Sequence, residues 1–375
     1  MKQPTDDFGR RHRRTPPAAP LRLAAMVAGG SALVSGMLAG LVRMGWRIPA
    51  VGDLTAAHGP LMVAGFLGTV ISLERAVGLG RPWAYAAPAL AGAGSVLILT
   101  GAPSSAAALA FLAGAVTLVA VFAVIYRIRP DRPNAVLLAG TLAWTGGVLA
   151  WWMGLSVPAL VPWWAAFLVL TIAGERLELA HLRPARGLVD AAFLLSAALL
   201  GAGALVSAVR LEAGVRLAGV GMVGLGLWLA RFDVAWRTVR LQGLTRYIAW
   251  CLLPGYAWLA LGGISWALGA RWFGAGVFYD AMLHMVFVGF VLSMIFGHAP
   301  VILPGVLGVT VAFSRRFYLH LALLHASLVL RIAGDLAISI PARQWGGLLN
   351  VVAVVLFLLQ TALAVRQGRR AAPAS

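Results

Sequence analysis

The chain of 375 residues is 61% hydrophobic and only 11% charged, and its mean hydropathy is +0.88. Because soluble domains carry about 25% charged residues, this composition excludes a soluble globular protein and indicates an integral membrane protein. The net charge of +18 would suit a phosphate-rich partner, but the basic residues fall mainly in short loops between apolar runs. Contact with anionic lipid accounts for them there, and we expect no nucleic-acid partner.

Apolar runs of about 20 residues, long enough to cross the hydrocarbon core of a bilayer, recur from end to end of the chain. Twelve membrane-spanning helices are predicted, with centres near Ala32, Gly65, Gly92, Ala115, Leu142, Phe167, Ala197, Gly221, Ala257, Val288, Leu324 and Val355. The predicted fold class is therefore all-α: a polytopic protein with a basic tail over residues 1–20 and a single transmembrane domain over residues 21–370.

The basic residues between the predicted spans set the orientation. With the basic tail in the cytoplasm, most of the 30 lysines and arginines lie on the same side, as the positive-inside rule requires. The basic residues left on the outer side are Arg43, Arg47, Arg210, Arg216, Arg271, Arg331 and Arg343. We therefore predict a bacterial inner-membrane protein with both termini in the cytoplasm.

Three of the predicted helices resemble one another. When Phe66, Phe167 and Phe290 are aligned, the segments MVAGFLGTVISLERA, PWWAAFLVLTIAGERLE and VFVGFVLSMIFGHAP superimpose. The residues that follow each phenylalanine at one common spacing are polar, namely Glu74, Glu175 and His298. A repeat of about a hundred residues, or four spans, predicts a pseudo-threefold ring of four-helix units. The units cover about 21–130, 131–240 and 241–370; chance similarity between apolar helices is the alternative explanation.

Two of these helices carry a histidine in their outer part. His58 opens the second span, and His284 lies within the tenth. Ionisable side chains inside a membrane are costly and commonly face a functional interior, and two imidazoles on facing helices are suited to be axial ligands of a heme. Asp280, one turn before His284, is predicted to partner it directly or to accept the hydrogen bond that fixes its tautomer. The simpler alternative for His58 is an interfacial residue at a helix start.

The segment HGPLMVAGFLGTVISL at residues 58–73, with the twelve-helix plan and the threefold repeat, resembles the catalytic subunit of heme-copper oxidases. It resembles still more closely the NnrS family of heme- and copper-associated membrane proteins, which are linked to nitric oxide stress in denitrifying bacteria. The resemblance implies that His58 and His284 hold a low-spin heme b. Met282 stands where the ligand of the oxygen-reducing heme is expected, and the sixth and seventh helices lack the histidines expected for copper. An oxygen-reducing oxidase is therefore not expected; copper elsewhere and a respiratory or redox partner protein stay open.

Further polar residues lie nearer the cytoplasmic side or on the eleventh span. His298 and His320 are predicted at comparable depth and are candidates for a second metal site or a proton-handling site. A solvated or interfacial role is the alternative for both and for His325. Arg331 and Asp335 are four residues apart on one helix and are predicted to pair with each other. In the heme interpretation, Arg331 instead approaches a heme propionate.

Each of two predicted spans ends with an acid followed by an arginine, Glu74–Arg75 and Glu175–Arg176. These pairs predict a charged collar that fixes the depth and packing of the helices. Proton entry through Glu74 or Glu175 is the alternative role.

Two rival functions belong to other classes. One is a proton-coupled transporter of a small solute without a cofactor, in which the histidines and buried acids carry protons. The other is a scaffold that stabilises or assembles another respiratory complex. No phosphate-binding loop and no G-x-S-x-G motif is present in the sequence, so an enzymatic activity is neither assigned nor excluded.

Overall fold

The computed structural model describes residues 19–49, 52–180 and 187–371, and all regular structure within these ranges is helical. Twelve helices in them are long and apolar enough to cross a membrane, and every predicted centre falls inside one. The multi-pass helical architecture predicted from the sequence is thereby confirmed. The predicted basic tail lies outside the described residues except for residues 19–20.

The twelve long helices are labelled here in chain order. Their bounds are α1 Pro20–Arg43, α2 Leu54–Leu79, α3 Pro82–Leu99, α4 Ser104–Ile128, α5 Arg132–Trp152, α6 Val157–Leu179, α7 Gly187–Ser207, α8 Leu211–Phe232, α9 Gly243–Trp272, α10 Gly276–Leu307, α11 Phe317–Leu336 and α12 Ile340–Arg370. A short helix, Ala235–Thr238, connects α8 to α9.

Neighbouring helices pack in pairs along the chain, and the bundle closes on itself because α1 packs against α10 and α12 as well as α2. Helices α7 and α8 approach each other closely: a Cβ atom on Gly203 would lie 2.4 Å from the backbone nitrogen of Ala218. Small residues permit such approach between membrane helices. The helices with the largest buried share are α6 and α10, which places them at the centre of the bundle.

Two helices change their winding along their length. The parts of α2 are a 3₁₀ turn over Gly52–Ala57, an α-helical turn over His58–Pro60, a π-helix over Leu61–Leu67 and an α-helix over Gly68–Leu79. The parts of α10 are an α-helix over Gly276–His284, a π-helix over Met285–Leu292 and an α-helix over Ser293–Leu307. π-Helical turns are rare and occur frequently at functional sites. Both begin within three residues of a histidine that the sequence analysis selected.

The two ends of the bundle are named for reference. The distal face is the end at which α1 terminates and α12 begins, and it carries Arg43 and Arg343. The proximal face is the opposite end, where α2 terminates and α11 begins.

Candidate functional site

His58 and His284 face each other near the distal face. Their ring centroids are 6.4 Å apart and their planes are inclined by 25°. The two residues are not at the same position in the aligned repeats, because His58 lies two positions further from its phenylalanine than His284 does. The structure nevertheless brings the two imidazoles from α2 and α10 together.

Hydrogen bonds to the backbone fix the tautomer of both rings. The Nδ1 atom of His58 lies 2.7 Å from the carbonyl oxygen of Gly36, and that of His284 lies 2.7 Å from the carbonyl oxygen of Asp280. Because a carbonyl oxygen only accepts, each Nδ1 carries the proton and each Nε2 keeps a lone pair. Neither Nε2 atom has a hydrogen-bond partner among the described residues. Asp280 therefore holds His284 through its main chain, while its carboxylate oxygen is 3.5 Å from Nδ1.

Two glycines of helix α1 position the imidazole of His58. Gly36 supplies the accepting carbonyl, and one turn later a Cβ atom on Gly40 would lie 2.9 Å from both Cε1 and Nδ1 of the imidazole. Real Cβ atoms do not approach other atoms so closely, so only glycine allows the ring to lie in this place. The four-residue spacing of the two glycines is the small-residue pattern of close helix packing. This contact between α1 and α2 could therefore have been predicted from the sequence.

Both histidines line a cavity of about 630 Å³, a volume within the roughly 300–1,000 Å³ that small-molecule and cofactor sites occupy. Its walls come from α1, α2, α6, α10, α11 and α12. The charged residues at its distal end are Arg43, Asp280, Arg331 and Arg343, and apolar residues at its proximal end include Leu67, Leu292 and Val354. From Arg343 to Val354 the cavity extends along α12 for about 16 Å, so it has one charged and one apolar end.

The charges at the distal end are paired between helices. Arg331 binds both carboxylate oxygens of Asp280, at 2.8 and 2.9 Å, and Arg343 lies 3.0 Å from the carboxylate of the fully buried Asp335. The predicted pair of Arg331 with Asp335 is therefore wrong. Asp280 on α10 presents two oxygens to the planar guanidinium, and this bidentate geometry replaces the single contact available within α11.

A second set of charges joins the helices near the proximal face. Arg75 lies 3.3 Å from Glu74 on its own helix and forms a closer ion pair with Glu175 on α6. Arg176 binds both carboxylate oxygens of Asp233 at 2.8 and 3.0 Å, and its side chain is 5% exposed. The acid–arginine pairs that end α2 and α6 are thus connected across helices. Asp233 had no signal in the sequence beyond its place at the end of α8.

The histidines proposed for a second site do not meet. His320 is fully buried, and its two ring nitrogens lie 2.8 Å from the hydroxyl of Tyr247 and 2.8 Å from the amide oxygen of Gln360. Since both nitrogens are engaged, neither is available to a metal. His298 instead bonds to the backbone one turn earlier on α10. The alternative of a solvated or interfacial role is also wrong for His320, while His325 is half-buried.

Comparisons with known proteins identify the family of this chain. No curated protein matches this chain. Residues 22–366 match a domain of unknown function (DUF8744), which covers nearly the whole chain, and the protein belongs to that family.

Proposed function

We propose that this protein is an integral membrane heme protein in which His58 and His284 are the axial ligands of a low-spin b-type heme. The observation that supports this most strongly is the distance between the two rings. An iron held by both imidazoles, with metal–nitrogen bonds of about 2.0–2.1 Å, sets the ring centroids about 6.3 Å apart. The observed separation of 6.4 Å agrees with this value and supports the proposal.

The hydrogen bonds of the two rings support the same role. Histidine ligands commonly donate their other ring N–H to a backbone carbonyl or carboxylate, which fixes the tautomer and raises ligand basicity. The main-chain oxygens of Gly36 and Asp280 accept these bonds here. The two Nε2 lone pairs are thereby left for a metal.

The two ends of the cavity suit the two edges of a heme. The apolar end fits the hydrocarbon edge of the macrocycle, and Arg43, Arg331 and Arg343 at the other end fit its propionate carboxylates. In this structure Asp280 pairs with Arg331 and Asp335 pairs with Arg343, which neutralises much of the charge of these two arginines. When bound, such a heme supplies reversible one-electron chemistry, tuned by its ligands and by burial. With histidine on both axial positions, no position is left for an exogenous ligand.

The wider setting is taken from resemblance. The twelve-helix plan, and the contribution of α2, α6 and α10 to the walls of one cavity, are in keeping with a heme-copper-oxidase-like pseudo-threefold scaffold. The likeness to the NnrS family associates the site with nitric oxide or redox stress, in a bacterial inner membrane with both termini in the cytoplasm. Met282 at the position of the missing ligand argues against oxygen reduction. Copper has no ligand set among the described residues and forms no part of the proposal.

An absorption spectrum of the purified protein, expressed with a heme supply, tests the proposal. We expect a Soret band and low-spin visible bands after reduction, and we expect them to be lost in His58→Ala and in His284→Ala. His298→Ala is the matched control, because this histidine is on α10 and has the same backbone hydrogen bond; it keeps the bands. Free imidazole added to His58→Gly restores them if the ring acts only as a ligand.

Folded wild-type protein that stays colourless, and that does not bind added hemin, would overturn the proposal. Solute uptake coupled to protons would then favour the cofactor-free transporter, with Glu74 and Glu175 as its buried acids. Copurification with a respiratory complex would favour the scaffold.

A further inference from the structure

Arginines lie at and near the distal end of the cavity, where Arg43 and Arg343 are among the lining residues. Arg47 and Arg271 each lie three residues along the chain from a lining residue, Met44 and Gly274 respectively, and Arg43, Arg47 and Arg271 are exposed. Arg343, in the first turn of α12, is 24% exposed. These four residues are called the arginine rim.

Acids near the rim pair with Arg343, but none of the described acids forms an ion pair with Arg43, Arg47 or Arg271. Asp280 and Asp335 lie beneath it, with side chains 15% and 0% exposed, and are engaged by Arg331 and Arg343. The exposed layer of the rim is therefore positive among the described side chains.

The placement of the rim runs against the usual distribution of charge. The positive-inside rule removes arginine from the outer face, to which the rim is assigned by the predicted orientation. Seven arginines are predicted for that face. Arg43, Arg331 and Arg343 line the cavity, and Arg47 and Arg271 are close in sequence to lining residues. Arg210 and Arg216 lie at helix ends away from the cavity. The positive-inside rule therefore does not explain why the other five arginines lie at or near the distal end of the cavity.

Aromatic side chains occur near the rim. The guanidinium of Arg271 lies 4.1 Å from the ring centroid of Trp272. Trp345 follows Arg343 by two residues on α12 and contacts Trp46 edge to face at 5.7 Å. Trp272 and Trp345 are 45% and 55% exposed. Exposed tryptophan with arginine is the composition enriched in protein–protein interfaces.

We infer that the arginine rim is the docking surface for an acidic, water-soluble protein that carries one electron. The inference rests on the proposed heme and names the protein that would exchange electrons with it. In each encounter one electron would pass between the carrier and the heme that His58 and His284 would hold; the partner that gives the electron is oxidised by one, the other is reduced by one, and no bond or proton is exchanged. Charge complementarity between rim and carrier raises the association rate and fixes the docking position. The rim lies over the histidine pair, which brings the carrier to the charged edge of the cavity.

Two measurements test this surface, in nanodiscs of zwitterionic lipid. The variant is Arg43→Glu combined with Arg47→Glu and Arg271→Glu. The control combines Arg210→Glu, Arg315→Glu and Arg316→Glu, which change the net charge equally at exposed positions away from the rim. The first readout is binding of a fluorescent polyglutamate peptide, which needs no heme. The second is the rate of heme oxidation by ferricyanide, an anion, and by hexaammineruthenium(III), a cation.

We expect the rim variant to lose peptide binding and to react with ferricyanide about tenfold more slowly at low salt, within the range of electrostatic steering. Its reaction with hexaammineruthenium(III) becomes faster, and both differences shrink at about 1 M salt. Equal behaviour of the rim and control variants would overturn the inference. An effect seen only when anionic lipid is present would also overturn it and assign the rim to lipid headgroups. A wild type without heme bands would instead defeat the proposed function, and peptide binding would still decide whether the rim recognises acidic protein.

Discussion

The substitution Gly40→Ala tests the site without altering any polar group. The added Cβ would lie 2.9 Å from Cε1 and Nδ1 of His58 and 3.6 Å from Nε2. Carbon atoms in contact are about 3.5–4.0 Å apart, so the ring has to retreat by about 0.6 Å or more. Functional constellations tolerate displacements of only about 0.5 Å. The methyl group is therefore large enough to disturb the ligand.

The displacement also weakens the bond that orients the ring. The Nδ1 to carbonyl distance of 2.7 Å at Gly36 would lengthen beyond the range of about 2.7–3.2 Å for an N–H···O bond. Overpacking of this kind costs about 1–3 kcal/mol, which corresponds to about 5- to 150-fold weaker binding. We expect Gly40→Ala to bind hemin more weakly by that factor.

Titration of the apoprotein with hemin, followed by absorbance, measures the affinity, and electron paramagnetic resonance of the ferric form reports the ligand geometry. Gly30→Ala is the matched control, because it lies on α1 and a Cβ there would meet nothing within 4 Å. Both variants gain the same helix propensity, about 1 kcal/mol, so helix propensity cannot explain a difference between them. Wild-type affinity and an unchanged low-spin signal in folded Gly40→Ala would refute the reasoning.

Two further predictions concern groups around the site. Arg331→Leu leaves Asp280 without its bidentate partner, and loss of one member of such a buried pair costs about 3–5 kcal/mol; thermal unfolding in detergent measures the loss, and Arg331→Leu combined with Asp280→Leu is expected to recover part of it. Failure of the double variant to recover stability would contradict this account. His320→Phe removes the partner of the Gln360 amide oxygen and one of the two hydrogen bonds of the Tyr247 hydroxyl, and we expect a cost of about 1–3 kcal/mol with unchanged heme bands; loss of the bands in folded protein would show that His320 has a role at the heme.

Much of the fold follows from hydropathy, because a membrane imposes one length on every span. The centres placed at Ala32 and Val355, and all those between them, fall within separate helices of the structure. The histidine pair was selected for a physical reason as well: an imidazole inside a membrane needs a partner. These features depend on single segments, whose length and polarity can be read locally.

The ion pairs could not be read in the same way. The i, i+4 spacing of Arg331 and Asp335 predicted one pair, but the packing of α10 against α11 offered Arg331 a better one in Asp280. Likewise, the burial of His320 depends on how α9 and α12 pack around α11, which no periodicity within α11 encodes. The π-helical segments beside both histidines also lack a known sequence signal. Contacts between helices distant in the chain are set by packing, and a single sequence does not specify them.

The histidine pair differs from the buried ion pairs in how its polar atoms are satisfied. Arg331 and Asp280 satisfy each other, as do Arg176 and Asp233, so these charges need no ligand. His58 and His284 are different, because each turns its proton to the backbone and both leave a lone pair unpartnered among the described residues. Two such acceptors at this separation cannot hydrogen-bond to each other, since neither Nε2 carries a proton. A single electron-pair acceptor between them would satisfy both at once, and this is the physical argument for the shared metal ion that we propose.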